Sequence, residues 1–222
     1  MNPRSTNQIL KAYKANGYTL DERPFAMNIF GIRSNSTEPD VFNDIIGYLY
    51  KDGSGKWNVV QSAGTTDTGT YWLKNPQNPK GTAMLVAGQY KDAYQIGTHA
   101  SKYTAFVQRS PVMVIRDYDR DAIFDFANGK SDEGLFGINL HRAESTGTTK
   151  SIGRYSAGCQ VWANAGDFEN ALAFGKKHKE KYGNRFTYTL FDERADFRRR
   201  LRFGSGIGVS LLVFYLAYRL IK

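Results

Sequence analysis

Cys159 is the chain's sole cysteine, and one of its three histidines, His141, lies a short distance upstream. Fourteen residues, Arg142 to Tyr155, separate that histidine from the turn Ser156-Ala157-Gly158-Cys159. A free thiol ionises at about 8.5, so near neutral pH it becomes a nucleophile only with help from a base such as imidazole. The two side chains need not be adjacent in the chain, only in space. The chemistry this pairing predicts is nucleophilic attack by sulfur on a carbonyl. Main-chain N–H groups around Gly158 and Cys159 are the expected donors to the developing oxyanion.

The surrounding elements must bring the pair together. Phe136 to His141 alternates apolar and polar residues and predicts a strand. Its period of two sends Ile138 and Leu140 to the core and Asn139 and His141 to the opposite face. The Gly-, Ser- and Thr-rich stretch that follows predicts a loop. Gly158 permits a sharp turn before Cys159, and Val161-Trp162 predicts a short buried strand.

The pattern of His141, Ser156, Gly158 and Cys159 resembles the signature of the L,D-transpeptidase catalytic domain, a histidine followed after a loop by Ser/Thr-His-Gly-Cys. The hairpin at 44–61, followed by Gly64-Thr-Thr-Asp-Thr-Gly69, is similar to the opening of such domains. Two positions depart from the family pattern. Ala157 stands where the family has a second histidine, and Gln160-Val161 stands where it has Asn or Arg. The resemblance covers about 25–192 and implies a mainly β (α+β) domain, an L,D-transpeptidase-like β-sandwich with a helix after the cysteine. It implies Cys159 as nucleophile and His141 as general base, acting on an amide of a peptidoglycan stem peptide, with hydrolysis favoured over transfer. Ser156 and Asn139 are the expected orienting groups. Arg142 or Arg154 is expected to pair with a substrate carboxylate, and His99 and Gln160 complete the candidate substrate contacts. The rival is a non-catalytic wall-binding or virion structural protein retaining the fold.

Composition bounds the alternatives. A chain of 222 residues with 41 % hydrophobic content suits one domain with a substantial core. One cysteine excludes an internal disulfide, and one cysteine with three histidines offers no zinc spacing, so no metal or cofactor is expected. Asp117, Asp119 and Asp121 superficially suggest a calcium loop. Ala122 and Asn128 occupy the positions where such a loop needs glycine and glutamate, so a solvated turn is predicted. The net charge is +9, and Glu193–Lys222 contributes +5 of it, with seven basic and two acidic side chains. No basic face with interleaved aromatics marks the rest, so a nucleic-acid partner is not expected.

The other elements follow from pattern. Residues 1–24 predict a helix over Asn7–Ala15, capped by Thr6, and a linker; no apolar run marks a secretory signal. Strands are predicted at Phe25–Arg33, Asp44–Tyr50, Trp57–Gln61, Met84–Ala87, Pro111–Arg116, Ala122–Phe126 and Arg185–Phe191. His99 is placed in a loop. After the cysteine, Asn164 or Asp167 caps a helix running to about Tyr182, with His178 exposed in its last turn.

Residues 193–202 read as a basic linker and 203–221 as a single transmembrane helix. Phe203–Tyr218 lacks charge but spans only about 24 Å at helical rise. Snorkelling of Arg219 and Lys222 lengthens it toward the roughly 30 Å hydrocarbon core. Gly204 and Gly208 suggest a homo-oligomer through this helix. The expected location is therefore a membrane, by a C-terminal anchor. The arginine cluster holds the domain on the cytoplasmic side, away from peptidoglycan. A phage lytic protein carried in a virion membrane reconciles the anchor with the substrate.

Overall fold

The computed structural model describes residues 2–194, apart from 37, 125, 127 and 128. Strands β1 (Asn28–Arg33), β2 (Asp44–Lys51), β3 (Trp57–Thr65), β5 (Gly88–His99), β6 (Tyr103–Gln108), β9 (Leu140–Arg142), β10 (Gln160–Trp162) and β11 (Phe186–Asp192) form a closed barrel. Its order is β1-β11-β5-β6-β9-β10-β3-β2. A separate antiparallel sheet, in order β4-β7-β8, joins β4 (Thr82–Leu85), β7 (Val112–Asp117) and β8 (Lys130–Gly134). The chain is thus mainly β, as expected, but the expected sandwich is a closed barrel. Closure comes from two parallel pairings between distant segments, β1 with β11 and β9 with β10.

Among the described residues, three helices dress the barrel. Helix α1 (Thr6–Ala15) is capped by Ser5, one residue before the expected cap Thr6, because Ser5 and Gln8 form a reciprocal capping box. It lays Ile9 and Tyr13 against Phe30, Ile32, Ile45 and Leu49 of β1 and β2. Helix α2 (Thr70–Lys74) is one turn long. Helix α3 (Ala165–Tyr182) is capped by Asn164, whose side chain accepts from the Asp167 N–H at 3.1 Å. Its buried stripe, Phe168, Ala171, Leu172, Gly175 and His178, follows helical spacing. At Gly175 a Cβ would stand 2.8 Å from the Phe106 ring, so glycine lets helix and barrel approach. Trp162, Phe106, Phe168, Phe186, Tyr94 and Tyr188 belong to the main core.

The β2–β3 hairpin pairs Asp44 with Gly64 through Lys51 with Trp57, as its glycine turn predicts. Elsewhere long-range contacts override the local pattern. The first strand starts at Asn28 because Phe25 adopts φ 66° in a turn closed by the Ala26 N–H to Arg23 carbonyl bond. Among the described residues of the predicted strand Ala122–Phe126 none is in a strand. Asp119 and Asp121 accept from the N–H groups of Asp121 and Ile123, bending the backbone, and β7 pairs with β8 instead. The predicted strand 136–141 shrinks to Leu140–Arg142. There the Gln108 Oε1 takes the N–H groups of Phe136 (3.1 Å) and Ile138 (3.0 Å), standing in for a neighbouring strand. Among the described residues no helix is long and apolar enough to cross a membrane. The expected anchor at 203–221 lies outside the described residues.

Candidate functional site

The parallel β9–β10 ladder places the histidine beside the cysteine. Leu140 pairs with Gln160 and His141 with Val161, and the Gln160 N–H bonds the Asn139 carbonyl at 2.9 Å. Strand alternation then puts Leu140 and Gln160 on the inner face, and Asn139, His141 and Cys159 on the other. Cys159, His141, His99, Asn139, Ala157 and Arg154 all line one cavity of about 640 Å³. Its remaining wall includes Trp72, Ala83, Arg116, Leu135 and Phe136, contributed by α2, β4, β7 and the segment after β8. The small sheet is thus the far side of the groove that the barrel opens onto.

His141 is 3 % exposed. Its Nδ1 lies 2.7 Å from the Arg142 carbonyl, which can only accept, so Nδ1 carries the proton. The Tyr103 hydroxyl, 3.1 Å from that nitrogen, donates to the same carbonyl at 3.1 Å. Nε2 is therefore the bare nitrogen, and it is buried with no hydrogen-bond partner. Burial first, and the adjacent His99 second, lower the His141 pKa to about 3. The Cys159 thiol donates to the Gly137 carbonyl at 3.5 Å. Burial raises its pKa to about 11, against a weaker opposing effect of the Asn139 N–H. The resting pair is consequently neutral thiol and neutral imidazole, not a thiolate–imidazolium ion pair.

The cysteine turn is held by small, specific contacts. Gly158 adopts φ 121°, and a Cβ there would stand 2.3 Å from the Ala83 carbonyl oxygen. Ser156 is fully buried. Its hydroxyl bonds the carbonyls of Asp67 and Cys159, both at 2.8 Å, and accepts from the Gly158 N–H at 3.2 Å. Ser156 is thus a clasp for the turn and does not line the cavity. It also occupies the Gly158 N–H that was expected to serve an oxyanion.

Two other expected contacts point elsewhere. Gln160, fully buried on the inner face, donates to the Gly158 carbonyl at 3.1 Å and accepts from the Tyr188 hydroxyl at 2.7 Å. Arg142 alternates away from His141, lies over the Tyr103 ring at 4.3 Å and pairs with Glu169 at 3.4 Å. Arg154, by contrast, is exposed on the cavity rim with its guanidinium 3.9 Å from the Tyr71 ring centroid.

His99 is not in a loop but ends β5, paired with Tyr103 across the hairpin. Its ring stacks on that of His141, centroids 4.1 Å apart and 21° from parallel. Sequence pattern missed Trp72, Arg116 and Phe136 as cavity residues. Arg116 is held by Asp132 at 3.1 Å and lies over the Phe136 ring at 4.7 Å. His178, expected to be exposed, is 4 % exposed and is not among the residues lining this cavity. Comparison of the chain with protein-family models, curated proteins and solved structures finds no match.

Proposed function

We propose that the chain is a cysteine-dependent acyl-transfer enzyme that opens an amide of a peptidoglycan stem peptide. One observation carries this reading: the bare, unpartnered Nε2 of a buried histidine lines the same cavity as the sole cysteine. A buried polar atom left without a partner costs stability, and such costs concentrate where a group is kept ready for chemistry. The substrate class rests on the resemblance of His141, Ser156, Gly158 and Cys159 to the L,D-transpeptidase signature.

In the proposed reaction the Cys159 proton passes to His141 Nε2 as sulfur attacks the amide carbonyl carbon. The Cys159 N–H steadies the oxyanion. The C–N bond then breaks, and the amine leaves with the proton returned by His141. Water, activated by the same imidazole, cleaves the thioester to a carboxylic acid and regenerates the thiol. Because both groups rest neutral, proton transfer accompanies attack rather than preceding it. Arg154, exposed on the rim, is the guanidinium placed to take a stem-peptide carboxylate. In this proposal the 203–221 segment anchors the enzyme in a membrane, as in a phage lytic protein.

The second reading, a wall-binding protein without turnover, is favoured by the high thiol pKa and by Ala157 in place of the family's second histidine. Mass spectrometry of muropeptides, after purified wall is incubated with the full chain, separates the two. New cleavage products, lost in Cys159→Ala and in His141→Ala, are expected; wall binding without products would establish the second reading.

A further inference from the structure

The two stacked imidazoles present opposite hydrogen-bonding character. The Gln108 backbone N–H donates to Asn139 Oδ1 at 2.8 Å, which fixes the orientation of that amide. The Asn139 NH2 group therefore faces His99 Nδ1, 2.9 Å away, and donates to it. His99 Nδ1 must accept, so the neutral His99 ring carries its proton on Nε2. His141 has the reverse assignment, with Nδ1–H on the Arg142 carbonyl and a bare Nε2. Both residues line the cavity beside Cys159. Among the described residues, no group accepts from His99 Nε2.

The chain also holds His99 in place at a cost. The turn that follows it puts two non-glycine residues, Ala100 (φ 48°) and Ser101 (φ 57°), in the left-handed region. It is closed by the Lys102 N–H on the His99 carbonyl at 2.9 Å. Such turns favour glycine or asparagine, and left-handed conformation in other residues persists where the surroundings enforce it. Tyr103, its ring 5.4 Å from that of His99, closes the other side. Burial and the nearby Lys102 lower the His99 pKa, which favours the neutral, donor-bearing ring at physiological pH.

We propose that His99 is a substrate-positioning residue whose Nε2–H donates to an acceptor oxygen of the acyl substrate, an amide carbonyl or a carboxylate, while His141 serves Cys159. This assignment deepens the proposed acyl-transfer function and rests on it for the identity of the substrate. One imidazole removes a proton and its neighbour supplies a hydrogen bond, with Asn139 setting the polarity of the second. Sequence position alone would not pair them, since they come from different strands.

The test measures binding apart from turnover. A soluble stem tetrapeptide is titrated calorimetrically into full-chain Cys159→Ala protein, alone and with His99→Phe or His99→Gln added. Phenylalanine keeps the stacking face and removes the donor, whereas the glutamine amide can still donate. The expected result is a Kd raised about tenfold by His99→Phe and largely restored by His99→Gln, the loss of one hydrogen bond to a bound ligand. Unfolding midpoints measured alongside identify any loss that is only misfolding; in that case Asn139→Leu, which frees the His99 ring to change tautomer, must raise Kd instead. Equal affinity in all these proteins, or no binding in any, overturns the assignment. Wall turnover by the wild type under equal affinity would leave the enzyme reading intact and remove only the role of His99. Weakened binding by His99→Phe with no wild-type turnover would do the reverse.

Discussion

Gly158 and Ala83 are pressed together so closely that a Cβ on Gly158 would stand 2.3 Å from the Ala83 carbonyl oxygen. The obstacle is backbone, in a β4 strand paired to β7, and it cannot rotate aside. Gly158 also has φ 121°, where L side chains are strained. Gly158→Ala must therefore move the turn that carries Cys159 or push β4 outward. The expected cost is roughly 2–4 kcal/mol, from overpacking plus backbone strain. Urea unfolding of the two proteins checks it; a loss under about 1 kcal/mol would show that the turn yields freely.

The thiol and the imidazole make a prediction about pH. Cys159 is raised to about 11 and His141 lowered to about 3, so between those values the pair stays neutral. Alkylation by iodoacetamide needs thiolate, and its rate should keep climbing tenfold per pH unit beyond the 8.5 of a free cysteine. In the proposed reaction, turnover would draw on the neutral pair and should show no acid limb near pH 6.5, the ordinary histidine value. An alkylation midpoint below 8 would reveal a preformed thiolate and contradict the resting state described above.

How far the sequence reveals the site depends on the range of the forces involved. The face shared by Asn139 and His141 was readable from alternation alone, the 44–61 hairpin from its glycine turn, and the α3 cap was narrowed to Asn164 or Asp167. The same alternation, carried one residue further, turns Arg142 away from His141 and Gln160 away from Cys159; chemical type had suggested otherwise. His178 sits three residues beyond Gly175 on the stripe begun by Phe168, so its burial was also within reach of helical spacing. Other features had no local signal. Gln108 caps the backbone at 136–138 across 28 residues, and barrel closure joins β1 to β11 over most of the chain. The approach of His99 to His141 depends on β6 lying between their strands in the barrel order.

His178 links α3 to the barrel. Its Nδ1 accepts from the Met27 N–H at 3.0 Å, and its Nε2–H donates to the Arg185 carbonyl at 3.1 Å. Protonation would abolish the first bond, and burial lowers its pKa below 6.5. A histidine depressed in the folded state is protonated more readily when unfolded. Its contribution to stability is thus fully present above about pH 6.5 and declines as pH falls toward the folded value. His99 and His141 act in the same sense, so stability should fall between pH 7 and 5. His178→Leu should cost roughly 1–3 kcal/mol at pH 7, through an N–H and a carbonyl left unpaired, and should flatten part of that slope. Thermal unfolding across pH would sink the idea if the variant kept the full acid sensitivity of the wild type.

Arg33, 1 % exposed, holds together the barrel end behind the cysteine turn. Its guanidinium pairs with Asp67 at 2.9 Å and Asp192 at 3.3 Å and donates to the Thr66 carbonyl at 2.9 Å. Arg194 approaches the same Asp67 at 3.2 Å. The Asp67 carbonyl in turn receives the Ser156 hydroxyl, so the ion network and the cysteine turn share a residue. Replacing Arg33 by methionine keeps much of its volume but leaves buried carboxylates short of positive charge. Breaking one side of a buried pair costs about 3–5 kcal/mol, more than the pair itself contributes over an apolar substitute. Arg33→Met should therefore lose stability on that scale at pH 7. Chemical unfolding of the two proteins at pH 7 tests it. Equal stability of variant and wild type at pH 7 would mean that Arg194 alone neutralises the cluster.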